Sequence, residues 1–444
     1  MNKWKTAAQE STLALQHLLA MYAGAILVPL IIGSSLGMNS EQLTYLVAID
    51  ILMCGVATLL QVYRGKVIGI GLPVVLGCTF TAVTPIIAIG QTNGITDVYG
   101  AIIVSGLIIF LIAGFFGRLV KFFPPVVTGT VVTIIGVSLL PVAFNNIGGG
   151  DPEAATFASG ANIGLALMTL LIILLVYRFA TGFLRSISIL IGLVAGTVVA
   201  IFYGMVDFTP VKEAGIVHMV QPFYFGVPTF DLSAIITMTL VAMVSIVEST
   251  GVYFALSDIV KKPLNWKDLA RGYRSEGLAS IIGGIFSAFP YTTFSQNVGL
   301  VQMSGVKKRS VIVITGLMLV ALGFFPKVAA MTTIIPTPVL GAAMVAMFGL
   351  VITQGMKMLT PAILESAENA MVAAIAIGLG IGVTAVPGIF EVLPGLMPES
   401  IPGLQEFVSI LTSNGIVLGA TTAIVLNIFF NMIGPNNKDE MSIQ

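Results

Sequence analysis

Long apolar runs separated by short polar joints fill this chain, and a membrane-spanning helix needs about 20 such residues. Measured with that ruler, the sequence predicts regular spans at 14–32, 44–62, 98–117, 125–144, 163–180, 187–203, 234–256, 311–330, 339–355, 370–386 and 415–433. Three further segments, 69–90, 269–289 and 290–305, are irregular. Gly71, Pro73, Gly77 and Pro85 interrupt the first of them, and the last is too short and polar to cross as an ordinary helix. The expectation is an all-α polytopic membrane protein with fourteen transmembrane segments. Segments 3 and 10 carry short extended stretches, at 78–81 and 293–297.

Composition agrees with the pattern. Hydrophobic residues make up 57% of the 444 and charged residues only 9%, against roughly 25% charged in a soluble domain. That shortage of charge excludes a soluble enzyme, a disordered scaffold and a nucleic-acid binder. Cys54 and Cys78 both lie in apolar runs and read as small buried hydrophobes. With only two histidines beside them, no metal cluster is expected. Residues 1–11 are polar, and no small-residue cleavage site follows the first apolar run, so no cleaved signal peptide is expected.

Charge placement gives the orientation, because Lys and Arg collect in cytoplasmic loops. With the N-terminus inside and fourteen crossings, every basic residue falls on the inner face except Lys212 and Lys327. Both termini are then cytoplasmic. An internal similarity fits the even count. Residues 106–129 and 316–341 share Gly-Leu, then Gly-Phe-Phe, then Pro…Val…Gly, at an offset of about 210 residues. Chance similarity between apolar segments is one reading. The other is a repeat of seven spans, which must insert upside down in its second copy, as in many secondary transporters.

In such an architecture the substrate lies near the midplane, between interrupted helices whose backbone groups face a cavity. The polar stretches Cys78-Thr79-Phe80-Thr81 and Thr293-Phe294-Ser295-Gln296-Asn297 occupy matching places, the third and tenth segments. Their hydroxyls serve either a ligand or helix packing. Ionisable residues inside spans are expensive and point to function. Glu248 is the deepest, and reads as a substrate or proton site. Glu276 is either a proton carrier or a structural hydrogen-bonding group near the inner mouth. His17 is either a packing residue or a ligand. Asp50 has no obvious partner and reads as structural, and Asp258 lies at the inner end of its helix.

The run Ser295-Gln296-Asn297-Val298-Gly299-Leu300-Val301-Gln302-Met303-Ser304-Gly305 resembles the signature of the nucleobase-ascorbate transporters, also called nucleobase:cation symporter family 2. Gln296, Asn297, Gly299 and Gly305 match, and Ser304 stands where threonine is usual. Gln16-His17, Glu248 and the Ser-Glu-Gly at 275–277 are similar to the family as well. The wider pattern is most similar to bacterial xanthine permeases. One departure is Val252, where many members place a polar residue four positions after the glutamate.

The resemblance implies a seven-plus-seven inverted repeat divided into a core domain (1–123 and 231–335) and a gate domain (124–230 and 336–444). It implies a nucleobase held by Glu248, Gln296, Phe80, Ser295, Asn297 and Thr79. Proton coupling would fall to Glu248, Glu276 or His17. It also implies a homodimer in the plasma membrane and, besides the proton gradient, no cofactor. The favoured substrate is xanthine, with uric acid or uracil as alternatives. A channel would need neither an inverted repeat nor a midplane carboxylate beside broken helices. A membrane enzyme would need a nucleophile and base, a metal set or a cofactor motif, and none is legible.

Overall fold

The computed structural model describes residues 3–118, 123–217, 219–305, 307–398 and 404–433. Lys121 and Lys438, used in the charge argument above, lie outside the described residues. The chain opens with α1 (Lys3–Ser35) and α2 (Ser40–Val62), the latter started by a capping box in which the Asn39 side chain and Gln42 exchange hydrogen bonds with each other's backbone. Strand β1 (Leu76–Cys78) follows, then a single 3-10 turn (Phe80–Ala82), α3 (Val83–Thr92) and α4 (Ile95–Arg118). Next come α5 (Pro125–Ser138) and α6 (Leu140–Gly148), which together form one crossing, then α7 (Gly160–Phe179), the short α8 (Gly182–Ser186), α9 (Ser188–Phe202) and the loop helix α10 (Thr209–Glu213).

The second half starts with α11 (Leu232–Val260), capped by Asp231, and α12 (Trp266–Ile285), capped by Asn265 and Asp268. Strand β2 (Tyr291–Thr293) leads into α13 (Ser295–Ser304). A sharp bend of 81° separates α14 (Arg309–Gly323) from α15 (Pro326–Thr333). The last elements are α16 (Thr337–Glu365), α17 (Ala367–Ala385), α18 (Val392–Gly395), α19 (Leu404–Ser413) and α20 (Gly415–Asn427).

Among the described residues, nine helices are long and apolar enough to cross a membrane, and the bent α14–α15 pair makes ten. The protein is therefore an all-α polytopic membrane protein with one small sheet. The other four expected segments, the third, seventh, ninth and tenth, fall on α3, α9, α12 and α13. Three of these helices are too short: α3 and α13 have 10 residues each and α9 has 15. Helix α12 is long enough but carries Lys267, Asp268, Arg271, Arg274 and Glu276.

The helices pack in two sets. In one, α4 lies against α12 and α11, and α2 lies against α14; in the other, α16 lies against α5, α17 against α20, and α7 against α9. The sets meet where α11 touches α5 and α1 touches α9. Glycine sets the spacing inside the first set. A Cβ at Gly106 would fall 2.8 Å from the Gly277 carbonyl oxygen, and one at Gly55 would fall 2.6 Å from that of Gly316. Backbones this close forfeit side chains but gain contact along the whole crossing, which drives helix association where water is absent.

Candidate functional site

The two broken segments meet in the middle of the first set of helices. Strands β1 and β2 pair antiparallel, Leu76 opposite Thr293, Gly77 opposite Thr292 and Cys78 opposite Tyr291. The ladder runs on at both ends, where the Thr79 N–H donates to the Pro290 carbonyl at 2.9 Å and the Phe294 N–H to Val75 at 3.0 Å. An open two-stranded sheet inside a bilayer must satisfy its outer edges from elsewhere. Side chains do this. Thr58 of α2 accepts the Leu76 N–H at 3.0 Å and donates back to the Leu76 carbonyl at 3.3 Å. Ser249 of α11 receives the Thr293 N–H at 3.4 Å. Asp50 accepts the Phe289 N–H at 3.0 Å, the Cys78 thiol at 2.7 Å and the Tyr291 hydroxyl at 3.5 Å.

The extended stretches lie a few residues earlier than the sequence led us to expect. Phe80 and Thr81 are in the 3-10 turn, and Ser295, Gln296 and Asn297 form the first turn of α13. The Thr79 side chain caps the turn by accepting the Thr81 N–H at 3.3 Å. Each strand thus hands over to a helix N-terminus, whose first N–H groups have no partner within the helix and carry the positive end of its dipole. The two ends present donors suited to the carbonyl oxygens of a flat polar ligand.

Helix α11 borders this place with a polar stripe at helical spacing. Ser245 lies 3.3 Å from the Thr79 hydroxyl, and Ser249 lies 3.0 Å from that of Thr292. Glu248, half-buried between them, accepts a hydrogen bond from the Thr81 hydroxyl at 3.3 Å. That single bond leaves most of the acceptor capacity of its carboxylate to a ligand. Phe80 stands beside it, its ring edge-on to Phe348 of α16 at 5.5 Å and tilted against Phe294 at 6.4 Å. Gly77 is required here, because a Cβ on it would fall 2.1 Å from the Phe294 ring.

The remaining candidates separate. Gln296 opens on a cavity of about 40 Å³ between α1, α9 and α16, lined also by Gly24, Phe294 and Met347. It shares no hydrogen bond with Glu248 among the described contacts. Asn297 turns towards α1, its amide 3.1 Å from the His17 Nδ1 and donating to the His17 carbonyl at 3.1 Å. His17 is buried in that bracket. Glu276 is not at an open mouth: it is buried and accepts from the Tyr253 hydroxyl, which in turn accepts from the Gln61 amide.

Sequence reasoning missed several groups. Ser245 and Ser249 are visible in retrospect as hydroxyls on the Glu248 face of SIVEST. The partners of Asp50 lie 28 and about 240 residues away in sequence, so no local signal marked them. Cys78 packs as the small buried residue expected of it, with Cys54 at 3.9 Å and both thiols free, but it also donates to Asp50.

Comparison with known proteins places the chain in a family. Residues 8–389 match the family model described as Permease family. The chain is 58% identical over 429 residues to the xanthine permease of Bacillus subtilis, covering 97% of this chain and 95% of the relative. This chain belongs to the nucleobase:cation symporter 2 family of xanthine and uracil permeases. It is also 56% identical over 439 residues to the uric acid permease PucK of Bacillus subtilis, covering 99% of each chain. Among solved structures, the transmembrane domain of a cyanobacterium bicarbonate transporter, BicA, superposes with a TM-score of 0.62 at 17% identity, covering 84% of this chain and 96% of that one. That likeness concerns the fold alone. As a member of the permease family, the protein is a multi-pass membrane transporter of nucleobases and not an enzyme.

Proposed function

We propose that the protein imports xanthine together with a proton, binding the base between the starts of the 3-10 turn and α13. The observation that carries this reading is the meeting of two broken segments at a carboxylate with unused acceptor capacity. Glu248 would accept ring N–H groups, the backbone N–H groups at Phe80 and Ser295 would reach ring carbonyls, and Phe80 would cover a face. Gln296 would pair its amide with an adjacent ring edge, after a movement that brings it round from its present cavity. Asn297 and Thr79 would hold the two helix starts in place. Uric acid is the second reading, favoured by the 56% identity to a uric acid permease.

The packing supports an alternating-access motion. The first set of helices serves as the core domain (1–123 and 231–335), and the second as the gate domain (124–230 and 336–444). A seven-plus-seven inverted repeat would make α4 equivalent to α14 and α2 equivalent to α12. The two glycine contacts, α4 on α12 and α2 on α14, then become copies of one contact. Fourteen crossings with both termini cytoplasmic, in the plasma membrane, and a homodimer through the gate domains complete the reading.

The test is uptake of labelled xanthine into cells, with unlabelled uric acid, uracil, guanine and hypoxanthine as competitors and with or without a protonophore. Xanthine as the strongest competitor, and loss of accumulation with the protonophore, are expected. Strongest competition by uric acid would replace the substrate and leave the site reading intact.

A further inference from the structure

The buried polar group with the least explained environment is Gln61, at the inner end of α2. It is fully buried, its amide nitrogen donates to the Tyr253 hydroxyl, and its amide oxygen has no partner among the described contacts. Tyr253 is equally buried and donates its hydroxyl hydrogen bond to Glu276. A buried acceptor left without a donor carries a desolvation cost that nothing returns, so this chain of three groups is incomplete in the state observed.

We propose that Tyr253 is the positioning residue for Glu276, and that the chain Gln61–Tyr253–Glu276 reverses direction when Glu276 takes up a proton. The inference rests on the proton-coupled reading above and assigns Glu276 as the coupling carboxylate. With Glu276 charged, the amide N–H donates to the tyrosine oxygen and the tyrosine O–H to the carboxylate. With Glu276 protonated, its new O–H donates to the tyrosine oxygen. The tyrosine O–H then turns to the Gln61 oxygen once the amide has rotated. The proton taken up leaves a hydronium ion of the bathing water and forms one O–H bond on Glu276, and the tyrosine keeps its own proton throughout. The orphaned oxygen has a role only in the second state.

Both ends of the chain are tied to the strands. The backbone carbonyl of Gln61 accepts the Gly71 N–H at 3.2 Å, in the segment that leads to β1. Ser249 adjoins Tyr253 and Glu276 and bonds Thr292 and Thr293 of β2. A reversal is therefore felt at both strands. The titratable groups facing Glu276 are Tyr253 and Glu248 from α11, Tyr273 from its own helix and Tyr291 from β2. Gly106 and Ile109 of helix α4 line the same small cavity as Glu276, and α2 contributes the neutral Gln61.

The experiment uses the full-length protein with Tyr253→Phe, reconstituted in vesicles, and labelled xanthine. Two rates are read over a series of external pH values: accumulation driven by a proton gradient, and exchange of internal for external xanthine without a gradient. Exchange is expected within about threefold of wild type, while accumulation falls about tenfold and loses its pH dependence, the size of one hydrogen bond to a charged group. Gln61→Met removes the acceptor at similar volume. It gives the same selective loss to a smaller degree, and it decides the matter if the tyrosine variant fails to reach the membrane. An equal fall in exchange and accumulation, or accumulation with the wild-type pH profile, would overturn the assignment. Accumulation by the wild-type protein that ignores a protonophore would overturn proton coupling itself, and the assignment with it.

Discussion

Glu248 and Glu276 are both carboxylates on the apolar helices of the first set, near enough to feel each other's charge and very different in company. Glu248 is half-buried with one weak hydroxyl partner, at the place where two helix N-termini and an aromatic ring converge. Glu276 is buried against Tyr253 and Ser249, and Gln61 bonds the Tyr253 hydroxyl in turn. A carboxylate with spare acceptor capacity is built to receive a ligand; one whose partners are all protein groups is built to report its own charge to them. On the proposed reading the pair divides binding from coupling, and Ser249, next to Glu248 in sequence and hydrogen-bonded towards Glu276, links the two.

Substitutions rank by which side of that division they touch. Glu248→Gln should have the largest effect, lowering labelled xanthine uptake about a hundredfold through loss of a charge-assisted contact worth about 3 kcal/mol. Near-normal uptake would remove Glu248 from the site. Glu276→Gln should reduce gradient-driven accumulation about tenfold while exchange persists, and equal losses in both assays would erase the distinction between the two carboxylates. Ser249→Ala should have the smallest effect, a threefold to tenfold rise in KM from the loss of roughly 1 kcal/mol of hydrogen bonding at the β2 edge. An unchanged KM would show that the strand edge is held without it.

The place of the site was legible in the sequence, whereas the choice of coupling residue among Glu248, Glu276 and His17 was not. A carboxylate in the middle of an apolar run, and two interrupted segments at matching places in the halves, are local features, and both are where the periodicity put them. The strands were displaced by a few residues because their limits are set by cross-strand pairing of 76–78 with 291–293, which has no local signature. Residues 80–81 and 295–297 look extended by their β-branched and turn-forming neighbours, yet they begin helices once Thr79 and Phe294 end the ladder. Asp50 was read as structural without a reason. The reason is three contacts from segments remote in sequence, which anchor β1, β2 and the residue before Pro290. His17, left open between packing and ligation, and Asn297, a substrate contact implied by the resemblance, are hydrogen-bonded to one another.

The division is tested most directly by equilibrium binding of labelled xanthine to the purified protein, comparing wild type, Glu248→Gln and Glu276→Gln. The account predicts saturable binding in the wild type, its loss in Glu248→Gln, and a Kd within about threefold of wild type in Glu276→Gln. Retention of wild-type affinity in Glu248→Gln, or its loss in Glu276→Gln alone, would contradict it.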